Sequence, residues 1–223
     1  VVDRAARTSK GQDLLVELAE ALQAPVLDLF GRQNFPSRHP LNQTERGRAI
    51  VGQADVIIGL EVNDFWGVIN SMTDNIVGTQ TRRAKADAKI VTISTQDLYI
   101  RANYQEFQRF QTADVSIAAD TEVTLPMLIE EVKRAMSGDN KTVAQKRGED
   151  LKKAFNQTKE RLLQTAAIAW DASPISTARL SAELWAVIKD ENWGMVSRDS
   201  SLSNWPHRLW NFDKYHQFIG GSG

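Results

Sequence analysis

Cysteine is absent from this 223-residue chain. Disulfides, thiol nucleophiles and cysteine-ligated zinc or iron–sulfur centres are excluded with it, and a reducing cytoplasm is the compartment such a composition fits. Long apolar runs are missing as well: none approaches the ~18 residues that suggest a membrane span. No signal-peptide pattern opens the chain. Histidine is scarce, and the three present, His39, His207 and His216, are too scattered to form a metal cluster. A net charge of −1 gives no general attraction to nucleic acid or membrane. No G-x-G-x-x-G follows an apolar run, and no Walker loop, G-x-S-x-G elbow or H-E-x-x-H occurs. These absences argue against a self-contained hydrolase or P-loop enzyme.

What remains is an ordinary globular composition, 42% hydrophobic and 25% charged, in a chain long enough to bury a substantial core. "VVDRAART" reads as the last residues of a buried strand, which suggests a fragment. In "SKGQDLLVELAEALQA" the residues Leu14, Leu15, Leu18 and Leu22 recur at helical spacing, with Ser9 as N-cap and Gln12 as its capping-box partner. "PVLDLF", "DVIIGLEV", "AKIVTIST" and "ADVSIAAD" are short apolar or β-branched runs of the kind found in parallel strands buried on both faces. With "VVD" they make five strands separated by crossovers of helix length. Residues 1–137 are therefore expected to form a Rossmann-like, doubly wound parallel sheet with helices on both faces. Residues 138–173 read as a charged helical linker. Residues 174–223 read as the start of an incomplete second α/β domain: a helix with Leu180, Leu184, Val187 and Ile188 on one face, then a strand "GMVSRD".

Ligands of such sheets sit outside the carboxyl ends of the strands. The loop "FGRQNFPSRHP" places Arg32, Asn34, Arg38 and His39 there, donors suited to a diphosphate or carboxylate, or else a solvated loop shaped by Pro36 and Pro40. Asn63 and Asp64 end the most buried strand, where they could read a ribose hydroxyl or cap the following helix. "SRDSSLSNWP" offers small hydroxylated residues after a strand, a phosphate site or an ordinary turn. Four of the six tryptophans fall between Trp185 and Trp210, which suggests packing against a neighbour outside this chain, now missing, rather than base stacking. The ending "GGSG" is either an appended flexible tail or the beginning of a cofactor loop.

In order, these pieces resemble the thiamine-diphosphate-dependent enzymes related to acetolactate synthase and benzoylformate decarboxylase. Pro25, Val26, Gly31, Phe35, Pro36, His39 and Pro40 match the central-domain pattern of that family. "ADVIIGLEVND" is similar to its second mark, and "ELWAVIKDENWGMVSRDSSLSNWP" followed by "HQFIGGSG" to the opening of its diphosphate-binding domain. The resemblance implies that Asp199, Ser200, Ser201, Ser203 and Asn204 form the diphosphate-side loop, with Ser201 where glycine is usual. It implies that Gly220, Gly221, Ser222 and Gly223 are native and belong to the glycine loop. The parent would be a Mg²⁺-dependent decarboxylase or carboligase acting on small 2-oxo acids, at least a dimer, with further domains flanking this fragment. The fragment alone is expected to be inactive, with no catalytic residue and no metal ligand of its own. "LNQTERGRA" lacks the glycine-, methionine- and histidine-rich stretch of the FAD-binding members, which argues against FAD. A stand-alone nucleotide-binding module and a non-catalytic structural domain remain the alternatives.

Overall fold

The computed structural model describes residues 1–74, 79–95, 110–196 and 202–220. Its centre is a parallel sheet of β1 (Val56–Leu60), β4 (Lys89–Ile93) and β5 (Val115–Ile117), in the order β1-β4-β5. Two further extended segments prolong it beyond β1 through single parallel bridges. Val2 bridges to both Leu60 and Asp28, and Val26 bridges to Asn42. Val2 N donates to Leu27 O and Leu29 N to Val2 O, both at 2.9 Å, while Leu60 N donates to Val1 O at 2.9 Å. The "VVD" segment thus lies between "PVLDLF" and β1. Where the sequence reading expected five full strands, the described residues hold three in regular pairing and two joined by single bridges.

Strand alternation in β1 and β4 sends side chains to two separate cores, whereas β5, expected to be buried on both faces, is exposed at Val115, Ser116 and Ile117. Leu60 and Ile93 face one side, with Val2 and the helices α1 (Ser9–Leu22) and α4 (Thr121–Ala135), which contribute Leu14, Leu15, Leu18, Leu125 and Ile129. Ile57 and Ile90 face the other, against Val51 of α2 (Gly47–Gln53) and Phe65 and Ile69 of α3 (Phe65–Ile69). The fold is mixed α/β, a parallel sheet flanked by helices. Between α3 and β4 lies an antiparallel pair, β2 (Asn70–Asp74) with β3 (Thr79–Arg82), which no apolar alternation announces.

Helix α1 begins one residue earlier than the capping reading allows. Thr8, not Ser9, is the N-cap: its Oγ1 accepts from Gly11 N at 3.0 Å and its hydroxyl donates to Glu122 of α4. The helix ends at Gln23, in left-handed conformation (φ 46°), before Pro25. The linker is α5 (Gly138–Ala166), a 29-residue helix with only Ala144, Gly148, Leu151 and Ala166 buried. Arg147 reaches from it to the C-terminus of α1, donating to Leu22 O at 2.6 Å and Gln23 O at 3.0 Å.

The C-terminal region contains α6 (Thr177–Ile188) and the short α7 (Trp205–Leu209). The face read as apolar core is mostly turned outward: Leu180, Leu184 and Val187 are exposed, Ile188 alone of the four packs on the aromatic cluster, and the buried positions are Ala178 and Ser181. The opposite side is claimed by an aromatic cluster. Trp185, Trp193 and Trp210 pack on one another and on Phe212, with ring centroids 5.1–6.1 Å apart. These tryptophans find their neighbours within the chain, which corrects the expectation of an external one. The strand expected at "GMVSRD" is represented by one bridge at Met195; residues 197–200 lie outside the described residues.

Candidate functional site

The loop that follows the "PVLDLF" segment is held by a buried polar pair. Asp28 and Asn34 are almost fully buried, at 1% and 0% exposure. Asp28 accepts from the backbone N–H of Phe30, Asn34 and Phe35 at 2.9–3.0 Å and from Asn34 Nδ2 at 2.9 Å. Burial pushes its carboxyl up to about 7, against the opposing pull of these donors. Asn34 Oδ1 accepts from Ala5 N and Ala6 N at 3.0 and 3.1 Å, and its Nδ2 also donates to Asp3 O and Arg32 O. Asn34 is therefore a tie between the loops after the first two extended segments. Its polar groups are consumed by the fold, and it leaves the set of ligand candidates.

That tie brings cations together. Burial and the nearby charges of Arg7 and Arg4 lower the basicity of Arg32, while Glu122 and Tyr215 oppose them. Arg4 and Arg7 come from "DRAART", where a glycine fingerprint would stand in a nucleotide-binding sheet. Arg7 pairs with Asp120, and its backbone N–H donates to Glu122. Arg4 and Arg32 have no ion-pair partner among the described residues.

The other predicted residues go elsewhere. Arg38 is exposed, its Nη2 3.5 Å from Leu209 O, and His39 Nε2 lies 3.3 Å from Glu20. Asn63 N donates to Asp3 Oδ2 at 3.2 Å. Asp64 is the N-cap of α3, accepting from Gly67 N at 2.8 Å, which decides for the capping reading. Glu61 is singled out by no motif in the sequence. Buried and in left-handed conformation (φ 48°), it accepts from Ser94 Oγ and from the backbone and hydroxyl of both Thr95 and Thr121 at 3.1–3.3 Å. It joins the carboxyl ends of β1, β4 and β5. Its positive φ was the feature that no pattern in "GLEVND" reveals.

The second group of candidates sits on a second parallel pairing. Met195 N donates to Gln217 O at 2.8 Å and Ile219 N to Met195 O at 3.3 Å. The loops after Val196 and after Ile219 therefore leave the same end of one parallel pair. Asp199, Ser200, Ser201, Gly221, Ser222 and Gly223 lie outside the described residues. Ser203, Asn204 and Gly220 are described, all with left-handed backbone (φ 52°, 64° and 87°). Gly220 rests on the carbonyl of Gly31, and a Cβ at either glycine would collide, with Gly31 O in one case and with Asp3 in the other. Gln33 N donates to Phe218 O at 2.8 Å, so the start of the glycine loop meets the Arg32 loop directly.

Gly220 thus stands at the carboxyl end of the Met195–Phe218 pair, seated on the loop that carries Arg32. Among the described residues no group of three or more His, Cys, Asp or Glu is placed to hold a metal ion. No helix among them is long and apolar enough to cross a membrane. No protein-family model matches the chain, and no curated protein matches it.

Proposed function

We propose that this chain is part of a thiamine-diphosphate- and Mg²⁺-dependent enzyme acting on 2-oxo acids. In this reading residues 1–137 are a Rossmann-like, doubly wound central domain, 138–173 the linker and 174–223 the opening of the diphosphate-binding domain. One observation carries it: the two loops assigned to the cofactor on sequence grounds leave the same end of the Met195–Phe218 parallel pair. That is the end at which α/β sheets bind their ligands.

Within this chain, Ser203, Asn204 and Gly220 would donate hydrogen bonds to the diphosphate, together with Asp199–Ser201 and Gly221–Gly223. The close packing of Gly220 on Gly31 supports this reading, since only glycine fits there. When bound, thiamine diphosphate supplies the electron sink that lets a 2-oxo acid lose CO₂. The Asp and Asn that hold Mg²⁺ in the resembling family stand in a Gly-Asp-Gly…Asn motif that this sequence does not contain, so the 223-residue chain alone does not turn over. The full protein would work as a dimer or larger homo-oligomer.

The test is to read the natural coding sequence past Gly223 and assay the encoded protein for CO₂ release from a panel of 2-oxo acids. The expected result is a Gly-Asp-Gly…Asn motif and release that requires both thiamine diphosphate and Mg²⁺. A reading frame without that motif, or release indifferent to the cofactor, overturns the proposal.

A second reading rests on the convergence of Arg4, Arg7 and Arg32 at the carboxyl ends of the first two extended segments. As a nucleotide-binding module, the chain would gain thermal stability from ADP, and Arg32→Gln would abolish the gain. No response of the melting temperature to ADP eliminates it.

A further inference from the structure

A cavity of about 180 Å³ lies under the C-terminal half of α5, closed by residues 37–46 on one side and α7 on the other. Phe30, Ser37 and Arg38, at and after the end of "PVLDLF", line it, whereas Arg4, Arg7, Arg32 and Gly220 do not. Phe155, Thr158, Lys159, Leu162 and Leu163 all line it. Their spacing is that of one helix face, on which Phe155, Thr158 and Leu162 are half-buried while Lys159 and Leu163 stay exposed. Phe30, Leu209 and Trp210 complete an apolar wall.

The polar part of the lining is unbalanced. Arg38 and Arg46 come from residues 37–46, Lys159 from α5 and Arg208 from α7, and Glu45 is the one carboxylate among the lining residues. Glu45 is engaged by Arg208 Nε at 3.1 Å. Arg46 Nη1 donates to the neutral Gln43 Oε1 at 2.9 Å, and Arg38 makes only its long contact with Leu209 O. Arg38, Arg46 and Lys159 thus have no carboxylate partner among the described residues. Like charges gathered beside an apolar wall repel one another, and a bound anion would relieve that repulsion.

We propose that this cavity binds a short carboxylate with an apolar tail. A bare phosphate would satisfy the cations and leave the apolar wall wet. A neutral hydrocarbon would fill the wall and leave the cations without a counter-charge. The volume corresponds to about six water molecules, which admits a ligand of roughly six to eight non-hydrogen atoms. The carboxylate faces Arg46 and Lys159, and the tail lies along Phe155, Leu162 and Trp210.

The probe is hexanoate, titrated calorimetrically into the 223-residue chain, with hexanamide and inorganic phosphate as controls. One saturable site is expected, with Kd at or below about 1 mM. Both controls should bind at least about tenfold more weakly, as should hexanoate to Lys159→Glu. Lys159 is exposed, so circular dichroism should show this variant folded as the parent is. Absence of saturation by about 10 mM overturns the proposal. So does equal binding of hexanamide, of phosphate, or of hexanoate by Lys159→Glu.

Discussion

Asn34 stands in a loop whose composition advertises a ligand site, yet none of its side-chain capacity is available to one. Replacing it with Leu would orphan Ala5 N, Ala6 N and Asp3 O in a buried place. Urea unfolding should show a loss of at least about 3 kcal/mol. Its partner Asp28 predicts a pH effect. The folded-state pKa of about 7 lies above the ordinary 3.8, so the native state holds this proton more tightly than the unfolded chain does. The stability contribution is complete below pH ~4 and is lost as pH rises through about 7. Unfolding measured between pH 4 and 8 should show stability falling across that window, and the carboxyl ¹³C resonance of Asp28 should titrate near 7. A midpoint near 4 would contradict it. Residue types at a strand's carboxyl end were legible in the sequence. Which of them the interior would absorb was not, because Asn34 is buried by segments on either side of it, Asp3–Ala6 among them, that no local pattern connects to it.

At the scale of elements, hydrophobic spacing located α1, α4 and the strands β1, β4 and β5, since each has a continuous apolar signal. It failed where the signal is split. Leu180, Leu184, Val187 and Ile188 form the expected helical stripe, but only Ile188 of the four, with the neighbouring Trp185, meets the aromatic cluster that decides which face is buried. Apart from Met72, strands β2 and β3 are polar, and no turn dipeptide in the sequence between them announces the pairing. Helix ends depend on partners far along the chain. Arg147 satisfies two carbonyls at the end of α1, and Arg147→Ala should cost about 1 kcal/mol. Hydrogen exchange should quicken in the last turn of α1 and remain unchanged in α4; unchanged protection at Leu22–Ala24 would show that the cap contributes nothing.

The molecule as a whole is joined through aromatic packing rather than through the sheet. Phe212 and Phe218 are completely buried, and the backbone around them bonds to Gln33 and Ser37. Phe218→Ala should destabilise this junction by about 3–5 kcal/mol. Limited proteolysis should then cut within residues 190–220 while the sheet, α1 and α4 stay resistant; simultaneous loss of both parts would mean that they unfold as one. The resemblance read from the sequence connected these two parts only by order along the chain. The structure adds that the Arg32 loop and the first glycine of "GGSG" are in contact.

That contact has a kinetic side. Gln33 Nε2 lies 3.4 Å from the carbonyl of Phe212, 179 residues further on. Closing so long a loop costs entropy that only already-formed structure between its ends can reduce. The sheet and its helices should assemble first, and tryptophan fluorescence from the 185–210 cluster should mature in a later refolding phase than far-ultraviolet ellipticity. Under denaturant the order reverses, and the seat of Gly220 on Gly31 is the first to open.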